Sequence, residues 1–108
     1  MNSTTTALTA LFDRIPRRHS LDNVKEINSI LSEYEDVLIA IESLNAWYES
    51  KMPVFFDELE NVRSIIRKSI DNKASKKNKD LYFDEASGIL KDSMEAVIAL
   101  YDDGTRTG

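Results

Sequence analysis

Residues 20–51 read SLDNVKEINSILSEYEDVLIAIESLNAWYESK, and the spacing of apolar side chains along that run decides the fold class. From Val24 they fall at Ile27, Leu31, Tyr34, Leu38, Ile41 and Tyr48, and reach Met52 just beyond. The steps alternate between three and four, with Asn45 as the one polar interruption, which is the period of an amphipathic helix. Ile30, Val37 and Leu44 widen the stripe on one side. That width exceeds the narrow seam of a two-stranded coiled coil and points to a bundle of several helices. At 1.5 Å per residue, a continuous helix over 21–51 is roughly 45 Å long. Ser20, Asp22 and Asn23 compete to cap its start, and Asn23 with Glu26 has the spacing of a capping box. Asn45 leaves two readings open. A buried Asn in the seam fixes register or oligomer state at some cost in stability, whereas an Asn at a bundle end sits in water.

Outward from this run, the chain divides at its two prolines. A short helix is expected over 4–14, through Ala7, Leu8, Leu11 and Phe12, with Ser3 to Thr6 offering capping side chains. Pro16 ends it, because the residue before a proline is pushed out of the α region. Arg17, Arg18 and His19 then form a polar joint. Pro53 suits the first turn of a new helix, where its missing N–H costs nothing. A helix is expected over 54–71, with Phe55, Phe56, Leu59, Val62, Ile65, Ile66 and Ile70 on one face. Residues 72–79 read as a flexible lysine-rich loop with little to bury. Asp80 is the expected cap of a last helix over 81–102, with Phe83, Ala86, Leu90, Met94, Val97 and Tyr101 turned inward. Gly88 weakens that helix slightly, and close approach of a neighbour is one reason to keep it. Gly104 is the expected C-cap, and 104–108 the expected frayed tail.

The chain of 108 residues fits one domain over 1–108 with one modest core. Only three glycines and two prolines are present, fewer turn residues than an all-β domain of this size needs. There are no cysteines, so disulfides, thiolate chemistry and finger-type zinc sites are excluded. A reducing compartment, the cytoplasm, is the expected location. The N-terminal residues lack the basic and apolar regions of a signal peptide. No apolar run approaches the roughly 18–20 residues of a membrane span, so no membrane partner is expected. The net charge of -5 argues against general nucleic-acid binding.

Charge is segregated along the chain. Residues 20–50 carry one lysine against seven acids, residues 61–79 carry seven bases against Asp71, and residues 80–103 carry Lys91 against seven acids. An antiparallel turn near Pro53 is therefore expected to set Arg67 and Lys68 beside Glu33, Glu35 and Asp36. Such exposed pairs contribute only ~0.2–1 kcal/mol each and bias register more than stability.

Few residues offer chemistry. His19 is the only histidine and is expected to be an ordinary exposed residue, because metal sites need several converging ligands. Glu33 and Asp36, followed by Val37, Leu38 and Ile39, resemble one half of the metal-binding pattern of the all-α nucleoside triphosphate pyrophosphohydrolases. That resemblance implies Mg²⁺ chemistry. It requires a second acidic pair upstream, where this chain has only Asp13, Asp22 and Glu26. A solvated acidic helix face is the expected reading. Lys73, Lys76, Lys77 and Lys79 suit phosphate or an acidic partner, but no aromatic residues interleave with them for base stacking. Trp47, Tyr48, Phe55 and Phe56 make an aromatic turn near Pro53, and Trp47 lies off the main stripe. Two readings follow for Trp47: a second packing surface against the short N-terminal helix, or a contact residue for a partner, since Trp and Tyr are enriched at binding hot spots.

These readings combine into one expectation: an all-α small helical bundle, three main helices plus a short N-terminal one, around a long antiparallel helical hairpin. The expected function is non-catalytic protein–protein interaction, as adaptor, assembly subunit or small inhibitor, with no cofactor or metal. Trp47, Tyr48, Phe55 and Phe56, flanked by Glu35, Glu42 and Glu49, form the candidate interface for a partner with a basic surface. A homodimer through the 21–51 helix is a further expectation, since the stripe looks longer than two shorter helices would cover. A metal-dependent pyrophosphohydrolase-like enzyme, or nucleic-acid contact through the lysine-rich segment, is the alternative.

Overall fold

The computed structural model describes residues 3–105, with side chains over 4–101. Among them are five helices and no strand: α1 (Ser3–Arg14), α2 (Leu21–Glu42), α3 (Ala46–Lys51), α4 (Pro53–Ser69) and α5 (Lys76–Thr105). The protein is thus an all-α small helical bundle. Helices α1, α2, α4 and α5 alternate in direction, and each packs on its sequence neighbour. Contact between α5 and α1 closes the ring. This is up-down-up-down topology joined by short connections. The most extensive pairing is α4 with α5, so the central hairpin turns at residues 70–75 rather than at Pro53. Helix α5, about 45 Å long at 1.5 Å per residue, spans the 48 Å long axis of the molecule.

Periodicity selects the core. Val24, Ile27, Ile30, Leu31, Tyr34, Leu38 and Ile41 of α2 are all buried. Leu8 and Leu11 of α1, Leu59, Val62 and Ile66 of α4, and Phe83, Ala86, Leu90, Met94 and Val97 of α5 complete the same cluster. The α2 stripe is therefore covered by the chain's own helices, and the geometric argument for a homodimer through it falls away. One hydrogen bond crosses the core diagonally, between the Tyr34 hydroxyl and Ser93 Oγ at 2.7 Å. Burial pushes the Tyr34 phenol above its ordinary value, partly opposed by the Ser93 hydrogen bond.

The long helix is not continuous. Helix α2 ends at Glu42, and Asn45 takes an extended conformation (φ -168°, ψ 175°) in which its side chain accepts a hydrogen bond from the Tyr48 N–H at 3.0 Å. Asn45 is exposed and caps α3. It is therefore neither a buried register residue nor a seam position. Asn competes for nearby backbone groups and favours caps over helix interiors, and here that local preference overrides the apolar period.

Three other boundaries differ from expectation. Ser20 alone caps α2, accepting from the Asn23 N–H at 3.0 Å. The Asn23 amide instead donates to the Arg18 carbonyl at 2.7 Å, so no Asn23–Glu26 capping box forms. Ser75, not Asp80, caps α5 by accepting from the Asn78 N–H at 3.1 Å. That cap starts the helix early, and Lys76, Lys77 and Lys79 become its first turn instead of loop. Helix α5 then runs through Gly104 to Thr105, so Gly104 is not a C-cap. The rest of the expected tail, 106–108, lies outside the described residues. A methyl group added at Gly88 would meet nothing within 4 Å, so no close neighbour accounts for that glycine. Ile70, expected on the inner face of α4, is 47% exposed.

The ion pairs use other cations than Arg67 and Lys68. Arg63 donates to Glu35 at 3.1 Å and to Glu60 at 2.8 Å. Arg14 of α1 donates to Glu26 at 3.1 Å and to Glu33 at 2.8 Å. The acidic flank of α2 is thus partly neutralised within the chain, from both of its neighbours.

Candidate functional site

The two ends of the bundle carry different chemistry. At one end lie the α2–α3–α4 connection and the C-terminal part of α5. Tyr48 turns inward there, 2% exposed, stacked on Tyr101 with ring centroids 5.6 Å apart. Its hydroxyl donates to the Tyr101 carbonyl at 3.0 Å. Phe55 and Met52 are also buried, and Phe56 is half-buried. Tyr48 and Phe55 therefore belong to the core and are unavailable as contact residues. Glu35 is held by Arg63.

What this turn leaves outside is a different set. Trp47 is 38% exposed, with Leu44 and Val54 at 54% each. The Trp47 ring stands edge-on to Tyr48 at 5.1 Å, and the Lys51 ammonium lies 5.5 Å from its centroid, within cation–π range. These contacts leave part of the indole uncovered. Glu42 is half-buried and Glu49 exposed, and neither forms an ion pair among the described residues. Leu44 and Val54 were not among the expected interface residues. The signal for them is the Asn45 cap, which rotates Leu44 off the stripe, and the position of Val54 beside the inward-facing Phe55.

At the opposite end the polar joint after α1 meets the first turns of α5. Arg17, Arg18, His19, Lys76, Lys77, Asp80, Leu81 and Asp84 line an open cleft of about 820 Å³. Ser87 Oγ donates to the Pro16 carbonyl at 3.3 Å, which ties the joint to α5. His19 is no ordinary surface residue: its side chain is only 15% exposed, with Nδ1 at 3.8 Å from Asp80 Oδ1. Its ring packs edge-on to Phe83 at 5.7 Å, and its Nε2 is buried without a hydrogen-bond partner. Glu58 Oε1 is likewise buried and unpartnered. Arg17, Arg18, Lys76 and Lys77 make no ion pair among the described residues.

Glu33 and Asp36 do not build a metal-holding group. Glu33 accepts from Arg14 and, at 3.5 Å, from Ser29, while Asp36 faces solvent. Among the described residues, no three or more His, Cys, Asp or Glu side chains converge. No helix among them is long and apolar enough to cross a membrane. Comparison with known proteins finds no matching family model, no similar curated protein and no matching solved structure.

Proposed function

We propose that this chain is a non-catalytic protein-binding module, and that the α2–α3–α4 turn is its contact surface. The observation that carries the reading is the stretch 44–54. It leaves Leu44, Trp47 and Val54 exposed beside Glu42 and Glu49, two carboxylates without ion pairs among the described residues. Trp is the residue type most enriched at energetic centres of interfaces. It already contacts Tyr48 and Lys51, and a side chain ordered before binding loses less entropy on binding. The partner that fits is a protein segment with one apolar and one basic face, so that its cations meet Glu42 and Glu49. The cysteine-free sequence suits a reducing compartment such as the cytoplasm. Self-association through α2 is not part of this reading.

Trp47 is the only tryptophan, so the contact reports on itself. The intact protein is titrated with an amphipathic helical peptide bearing leucine on one face and lysine on the other. The expected result is a blue shift of Trp47 emission and binding that weakens about tenfold in Glu42→Lys/Glu49→Lys. Trp47→Ala should lower the peptide's affinity, read by calorimetry, and leave the melting temperature nearly unchanged. Absence of binding at peptide concentrations up to about 1 mM, or equal binding to the charge-reversed protein, rejects the proposal.

A further inference from the structure

The geometry of the opposite end points to a second site: we propose that the cleft between the α1–α2 joint and the first turns of α5 binds a chain of two or three phosphates, free or carried on a nucleotide. Four cations line it, Arg17 and Arg18 from the joint and Lys76 and Lys77 from α5. They come from segments nearly sixty residues apart in sequence, and the fold alone brings them together. None has an acidic partner among the described residues, whereas Arg14 and Arg63 each hold two carboxylates. With Asp80 and Asp84 in the same lining, the four cations still outnumber the carboxylates two to one, and the cleft keeps an excess of positive charge in a molecule whose net charge is -5. Like charges held together are costly, and a bound anion relieves that repulsion.

Size and lining select the ligand. A volume of 820 Å³ lies in the range of small-molecule sites, about 300–1,000 Å³. Arginine forks match phosphate oxygens two at a time, and lysines add mobile point charges. A phosphate chain packs several negative charges into the span of one such cleft, while an acidic peptide carries one per side chain. Leu81 is the one aliphatic residue in the lining. Asp80 and Asp84 of α5 line the cleft together with the cations. The lining holds no Phe, Tyr or Trp, and the His19 imidazole is the one ring in it on which a base could stack. Asp80 is itself directed toward His19.

Calorimetric titration of the intact protein with inorganic triphosphate tests the site. The expected result is saturable binding that weakens with added salt and falls at least about tenfold in Arg17→Ala/Arg18→Ala and, separately, in Lys76→Ala/Lys77→Ala. All four side chains are exposed, so circular dichroism and melting should confirm that both variants stay folded. The charge-matched control is Arg67→Ala/Lys68→Ala, which removes two exposed cations outside the cleft lining and should change affinity by less than about twofold. A parallel titration with ATP separates the sources: tighter binding than inorganic triphosphate marks a nucleotide, and equal binding marks a free phosphate chain. Three results overturn the proposal. They are no binding at millimolar triphosphate, equal loss in the control, and tighter binding of an oligonucleotide without terminal phosphates than of triphosphate, which would mean a polymer surface.

Discussion

Replacing Asn45 by Ala separates the observed fold from its simplest alternative by the sign of one stability change. If residues 21–51 formed a single helix, Asn45 would be an interior position. Exchanging it for Ala, the best helix former, would then stabilise the protein by roughly 0.5–0.7 kcal/mol. In the structure Asn45 is the extended N-cap of α3, accepting from the Tyr48 N–H at 3.0 Å. Loss of such a cap costs about 0.5–2 kcal/mol, typically near 1. The upper half of that range applies here for two reasons. The hydrogen bond is partly buried, so its donor is left short of water as well as of its acceptor. Helix α3 also has only six residues and cannot hold itself together without its cap and its packing. A loss of about 1–2 kcal/mol corresponds to a melting temperature lower by roughly 4–10 °C for a domain of this size. Thermal unfolding followed by circular dichroism, with urea unfolding as a second measure, reads this directly. Asn45→Asp keeps the acceptor and should stay close to the parent. A melting temperature that rises in Asn45→Ala would refute the interrupted helix and restore the continuous one.

Three further outcomes follow from the packing. Gly88→Ala should raise stability by up to about 1 kcal/mol in the same melts, because a helical glycine is replaced where the new methyl meets nothing within 4 Å. Tyr34→Phe should cost about 1–3 kcal/mol by stranding the buried Ser93 hydroxyl. Urea unfolding of Tyr34→Phe/Ser93→Ala should then show less than the sum of the two single losses. The Tyr34 phenol is raised above its ordinary value of 10.0 by burial. Below that pH both folded and unfolded chains hold the proton, and the fold keeps its full stability. Above it the unfolded chain ionises first, so stability should fall as pH rises past 10, and Tyr34→Phe should make the alkaline side of the pH–stability curve flatter.

Apolar spacing made the core of this protein legible. Val24, Ile27, Leu31, Tyr34, Leu38 and Ile41 are all buried, with Val37 half-buried beside them, and Phe83, Ala86, Leu90, Met94 and Val97 turn inward on α5 as their period requires. Spacing failed where one capping side chain outweighed it. Tyr48 and Met52 stay in phase with Ile41 across residues 43–45, so the period reads through a break that Asn45 imposes locally. The same holds for Ser75, whose hydroxyl draws Lys76 and Lys77 out of the loop and into α5. The aromatic turn was visible as composition, but successive helical side chains point about 100° apart. Trp47 and Tyr48 consequently meet opposite environments, and only the direction in which α3 leaves the break decides which one is core. The basic cleft was out of reach for another reason: no local pattern links Arg17 and Arg18 to Lys76 and Lys77, and only closure of the ring by α1 and α5 does.

That closure also determines how far apart the two surfaces act. From Lys76, in the cleft, to Tyr101, packed on Tyr48, helix α5 rises about 37 Å at 1.5 Å per residue. At physiological ionic strength electrostatic influence decays over about 8 Å, so several screening lengths separate the acidic turn from the basic cleft. The connecting element is one uninterrupted helix in a packed core. Coupling between sites needs a two-state element that both ligands bias, whereas α5 packs on both α4 and α1. Binding of a basic amphipathic peptide at the Trp47 turn and of triphosphate at the cleft should therefore be independent. Saturating either ligand should change the other's dissociation constant by less than about twofold, a coupling below roughly 0.4 kcal/mol. Calorimetric titrations with and without the second ligand measure this. A larger change in either direction would mean that α5 shifts between two positions in the bundle, and the rigid-core argument would fail.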